Sequence, residues 1–183
     1  ENIKEGFVLQ AGINIRLQDV FVVKTDDVEN GVTDTRALCR AAALCSKTEY
    51  CIGDISEKLQ RWGVEDDDAS NIISYLRTNG YINHERFARS FVSDKFRFNK
   101  WGRVKIRYAL KMKRIEEAYA EEALLMINEE EYAAALSAAV SDKVKKVGDI
   151  SDPRYRAAIY NFCIMRGFES DLIIKAIQAL TKK

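Results

Sequence analysis

Between His84 and Arg114 the chain carries eleven Lys or Arg residues and only two acids, Glu85 and Asp94. Clustered ammonium and guanidinium groups neutralise phosphates or carboxylates, so this block is where chemistry is expected. At 100° per residue, Arg86, Arg89, Arg97 and Lys100 share one helical stripe, while Phe87, Phe91, Val92 and Phe98 lie mainly on the opposite side. On a following helix Arg103, Arg107, Lys111 and Arg114 share a second stripe beside Ile106 and Leu110. Two such stripes suit several phosphates or an acidic protein surface. A competing use exists within the chain, because Ile115 to Asp142 holds eight acids and no Lys or Arg. Among the aromatic residues, Trp62 and Trp101 fall at helix ends and read as packing at unit boundaries. Tyr81, Phe96 and Phe98 are further stacking candidates, and Phe96, off the main apolar face, is the ring expected to be exposed.

Other chemistry finds no frame. The single histidine, His84, sits in Asn83-His84-Glu85 and reads as a turn or capping residue. Cys39, Cys45, Cys51 and Cys163 lack metal or redox spacing and are expected as reduced, mostly packed thiols. There is no glycine-rich phosphate loop and no G-x-S-x-G turn. The expectation is a protein that is not an enzyme and uses no metal and no cofactor. With 29 basic and 28 acidic residues, net charge +1, general attraction to polyanions is excluded and only a local patch would serve. No run approaches the ~18 apolar residues of a membrane span, and no leader pattern opens the sequence, so a soluble cytoplasmic protein without membrane contact is expected.

The elements that must position the basic block are helical. From Thr35 onward Pro153 is the only proline and apolar residues recur every three or four positions. Thr33, Asp34 and Thr35 offer an N-cap, and Ser151-Asp152-Pro153 a second helix start. Self-similarity then appears at about fifty residues. Ile55, Leu59, Gly63 and Val64 align with Ile106, Leu110, Arg114 and Ile115, and with Ile159, Cys163, Gly167 and Phe168. Each set continues into Ile72, Ile73 and Leu76, then Ala123, Leu124 and Ile127, then Ala176, Ile177 and Leu180. Glu65, Glu116 and Glu169 stand where acid favours a helix start. Earlier helices near 36–45, 84–98 and 129–146 complete each copy. The fold expected is all-α, with three tandem three-helix units at 36–80, 81–128 and 129–183 stacked into an elongated, curved array. Residues 1–35 are β-rich, with a turn signal at Asn30-Gly31, and read as a small hairpin or an irregular extension. Nothing like a heptad seam requires self-association, so a monomer is expected.

The run from Asn79 to Phe91, with Asp94-Lys95, Lys100-Trp101-Gly102-Arg103, Ile106-Arg107, Leu110-Lys111 and Lys113, resembles the central motif of the RecX family. Tyr50, Asp54, Glu57-Lys58-Leu59 and Gly63-Val64 resemble its first unit, and Arg156 to Leu180, with Met165-Arg166-Gly167-Phe168, its third. The similarity covers about residues 36–180. Arg114 departs from it, standing where the family often has glycine, so this cap is either strained or built differently; residues 1–35 fall outside it. The resemblance implies a regulator that binds RecA nucleoprotein filaments on single-stranded or duplex DNA and mainly inhibits recombinase, ATPase and co-protease activity, without a cofactor. Arg86, Arg89, Lys95, Arg97, Lys100, Arg103, Arg107 and Lys111 are the expected contacts to RecA and DNA, with Phe87, Phe91, Ile106 and Leu110 holding their helices. A direct DNA-binding helical module and a helical adaptor for another protein are the alternatives.

Overall fold

The computed structural model describes residues 31–148 and 150–181. The hairpin or extension read over 1–35 therefore lies, as far as residue 30, outside the described residues. Nine helices and no strand occur among the described residues: α1 Thr35–Cys45, α2 Ile52–Arg61, α3 Asp66–Thr78, α4 His84–Arg97, α5 Arg103–Met112, α6 Glu117–Leu125, α7 Glu129–Val147, α8 Pro153–Arg166 and α9 Ser170–Thr181.

Local sequence explains where they begin and end. Side-chain oxygens of Asp34, Asn83, Asn128 and Asp152 accept hydrogen bonds from first-turn N–H groups of α1, α4, α7 and α8. Glu65 and Glu116 occupy the cap positions of α3 and α6 without such a bond, so their contribution is charge at the positive end of the helix. α2 and α8 close through Gly63 and Gly167 at φ +79° and +86°. α5 closes the same way through Arg114 at φ +57°, so the cap without glycine keeps the left-handed geometry rather than replacing it.

Helices pack chiefly within successive threes, α1 with α2 and α3, α4 with α5 and α6, and α7 with α8 and α9. The repeat positions Ile55, Leu59, Ile106, Leu110, Ile159 and Cys163 are all fully buried, as equivalent core positions must be. The cores do not follow the threes. Leu38, Ile55, Leu59, Ile72 and Leu76 form one core within α1–α3. A second core runs without interruption from Phe87, Val92, Ile106 and Leu110 to Tyr132, Leu136, Ile159, Phe168 and Ile173.

The joint beneath that continuous core is a glycine contact. Gly102 N–H donates to Arg166 O at 2.8 Å and Val104 N–H to Gly167 O at 3.0 Å, so the open carbonyls ending α8 satisfy the open amides starting α5. A Cβ on Gly102 would lie 2.1 Å from Gly167 O. Only hydrogen fits there.

Candidate functional site

α4 and α5 carry the basic block, held by their buried sides. Phe87, Ile106 and Leu110 are buried, and Phe91 is half-buried, stacked on Phe87 at 5.7 Å between centroids. The charges divide into two groups. Arg86 pairs with Glu49 at 2.8 Å and also donates to Gly80 O. Arg89 reaches Glu85 at 2.9 Å and Glu122 at 2.5 Å, and Arg103 reaches Glu129 at 2.7 Å. Arg107 holds both carboxylate oxygens of Glu121. That hydrogen bond keeps the Glu121 carboxyl below the usual carboxylate range and raises the Arg107 guanidinium. The acidic segment thus engages Arg89, Arg103 and Arg107, while Arg97, Lys100 and Lys111 are exposed and have no carboxylate partner among the described residues. Lys95 lies over the rings of Phe91 and Trp101 at 5.1 and 5.3 Å.

Two aromatic expectations are corrected. Phe96 is buried, its ring 5.9 Å from Tyr132 of α7, because a helix from the following three covers that side of α4. Phe98, expected on the packing side, is 79% exposed: it caps the end of α4 with helical backbone, its N–H still bonded to Asp94 O, and no core residue covers its ring on that last turn. Trp101 is half-buried against the second core, and Trp62 packs on the first beneath the guanidinium of Arg40.

A surface not singled out from the sequence lies on α5. Val104, Tyr108 and Met112 are exposed at four-residue intervals, opposite the buried Ile106 and Leu110. That stripe was readable as the outward half of the same periodicity. Tyr108 and Met112 line a cleft of about 800 Å³ between α2 and α5, with Ile52, Asp54, Trp101 and Arg114. Asp54 on its wall accepts from Lys113 Nζ at 2.8 Å. Burial opposes ionisation of that carboxyl, but Lys113 and the Cys51 hydrogen bond outweigh it and hold Asp54 below its ordinary range. His84 borders the cleft, its Nδ1 paired with Glu116 and its Nε2 buried without a partner. Cys45 and Cys163 are buried thiols whose burial pushes them up to about 11, which leaves them protonated and unreactive at neutral pH.

No cluster of three or more His, Cys, Asp or Glu side chains able to hold a metal ion occurs among the described residues, and no helix there is long and apolar enough to cross a membrane. Successive helical threes define a helical-repeat protein, here with open cations and exposed apolar side chains on its central helices. Comparison with known proteins gives the family. The description "RecX, second three-helix domain" matches residues 83–124. Regulatory protein RecX of Acinetobacter baylyi is 30% identical over 162 residues, 87% of this chain and 96% of its own length. That of Prosthecochloris aestuarii is 31% identical over 152 residues, 81% of this chain and 96% of its own. The crystal structure of RecX from Lactobacillus salivarius shares the fold at TM-score 0.68 and 21% identity, covering 86% of this chain and 99% of that one. The chain belongs to the RecX family of regulatory proteins, which are non-enzymatic.

Proposed function

We propose that this protein binds RecA nucleoprotein filaments and restrains their recombinase, ATPase and co-protease activities, working in the cytoplasm as a monomer. The units 36–80, 81–128 and 129–183 serve as successive footholds along the filament, with the central one meeting DNA and recombinase together. The observation that carries this reading is that Arg97 on α4, Lys100 between α4 and α5, and Lys111 on α5 stand open in a chain of nearly balanced charge. Arg86, Arg89, Arg103 and Arg107 belong to the same basic block, but each holds a carboxylate. Their part is to fix α4 against its neighbours and to offer the remaining guanidinium donors to the partner, while Lys95 braces Trp101.

The test is binding to bare single strand, bare duplex and RecA-coated single strand across a salt series. Preference for the coated strand is expected. The triple variant R97E/K100E/K111E should lose affinity for it and flatten the dependence on log salt by about 0.7–0.9 per lost phosphate contact. A folded triple variant that binds the coated strand as the parent does, or a parent that prefers bare duplex, overturns the reading.

A further inference from the structure

Arg114 combines two costs. Its backbone stands at φ +57°, a region that L side chains other than Asn and Asp rarely occupy, while the aligned residues of the other repeats, Gly63 and Gly167, adopt the same turn freely at +79° and +86°. Its guanidinium has no carboxylate partner among the described residues, whereas Arg86, Arg89, Arg103 and Arg107 of the same basic block each have one. No packing explains the choice, since the residue is exposed. Strain kept at an exposed, unpaired cation is a mark of binding rather than of stability.

The surroundings say what is bound. Arg114 lines the α2–α5 cleft together with Tyr108, 64% exposed, and Met112, 66% exposed. The acids on the opposite wall are already neutralised, Asp54 by Lys113 and Glu57 by Arg61. Lys105, also lining the cleft, sits 4.6 Å from the centre of the Trp101 ring. Lys100, in the loop before α5, is the other residue besides glycine with positive φ among the described residues, at +55°, and it too is exposed and has no carboxylate partner there. Cations bracketing a helix, with an exposed aromatic ring between them, answer a strand that alternates phosphates with flat bases. An acidic peptide would satisfy the cations but leave the ring no particular use.

We infer that the α2–α5 cleft is a single-stranded DNA site in which Arg114 holds a phosphate and Tyr108 stacks on a base. This deepens the proposed function by giving the polynucleotide a particular site and a stacking contact, and it rests on DNA being part of the partner.

The deciding variant is R114G, which removes the charge and relieves the turn. It should raise the thermal midpoint while weakening binding to a labelled oligothymidylate, with the log-salt slope reduced by about 0.7. R114K should bind nearly as the parent does, and Y108L should lose about tenfold in affinity with the slope unchanged. Unaltered oligothymidylate binding by R114G overturns the inference. So does weaker binding of R114G to the RecA-coated strand with no change on the bare strand, which would assign Arg114 to protein. If the parent binds oligothymidylate in an Arg114-dependent way but shows no preference for the coated strand, the inference stands and the proposed function fails.

Discussion

Tyr132 shows how much one side chain organises around the cationic face. Its ring is 1% exposed, between Phe96 at 5.9 Å and Phe168 at 5.4 Å, and the Arg103 guanidinium lies 4.2 Å from its centroid. Its hydroxyl donates to Glu169 at 2.6 Å and accepts from the Arg103 N–H at 3.0 Å. Burial and then the Glu169 carboxylate push this phenol well above its ordinary range, so it remains a donor at any physiological pH. Tyr132→Phe keeps the ring but leaves a partly buried N–H and a carboxylate without their partner. The expected cost is about 1–3 kcal/mol, read as a lower urea midpoint at unchanged slope. An unmoved midpoint would mean that water replaces the hydroxyl fully. Asp68 plays a comparable part in the first core, accepting from Thr33 N at 2.6 Å and Asp34 N at 2.8 Å and so fixing the chain as it enters α1. In the sequence Asp68 is the last acid in a run of four, Glu65 to Asp68, and nothing there separates it from its solvated neighbours.

At the scale of elements, α5 is fixed at its start by a contact that admits no side chain. Gly102→Ala would drive a methyl group into the backbone of Gly167, and the resulting shift breaks two hydrogen bonds joining α5 to α8. A loss of about 3 kcal/mol is expected in chemical denaturation. Gly53→Ala is the matched control: Gly53 lies in the first turn of α2, an added Cβ meets only Cys51 Sγ at 3.9 Å, and the helix should gain a few tenths of a kcal/mol, below the ~0.5–1 of a helix interior. Equal effects of the two substitutions would rule out a close-contact role for Gly102. This joint also marks the limit of what the sequence displays. Helix positions and the six repeat residues were legible because burial imposes the 3.6-residue period on each helix separately. The Asp34 and Asp152 caps were legible because capping is local. Phe96 and Phe98 were not, since one depends on Tyr132 of α7 reaching α4 and the other on what packs over the last turn of α4. Nor was the division of the basic block: whether Arg107 or Lys111 meets a glutamate depends on how α5 crosses α6, to which periodicity is blind.

For the molecule as a whole, the two cores are of unequal reach, and the seam between α1–α3 and α4–α9 is mainly polar. Across it run Lys113–Asp54 and Arg86–Glu49, both at 2.8 Å, while Cys51 supplies an apolar contact from the loop before α2. Partly exposed ion pairs contribute about 0.2–1 kcal/mol each, far less than either core, so α1–α3 should open as a unit before the rest. The pH dependence follows from the shifts. Asp54 is held below its ordinary pKa, so its contribution is present above the unfolded value and is lost as pH falls through the folded one; Lys113 is raised, so its contribution is lost only in strong alkali. Native-state hydrogen exchange should therefore show α1–α3 losing protection ahead of α4–α9 as pH drops from about 5 to about 3. Glu121 and Glu116 are also held low and lose their charge on acidification, but they tie α5 and α4 to α6 within the central helices and so load the other side of the seam. Lys113→Met isolates the seam: at neutral pH it should lower protection in α1–α3 and leave α7–α9 untouched, whereas a uniform loss across all nine helices would show that the two cores unfold as one. Because the proposed DNA site lies on this seam, the same substitution should weaken oligothymidylate binding even though Lys113 is tied to Asp54, since an opened α1–α3 carries away the α2 wall of the cleft.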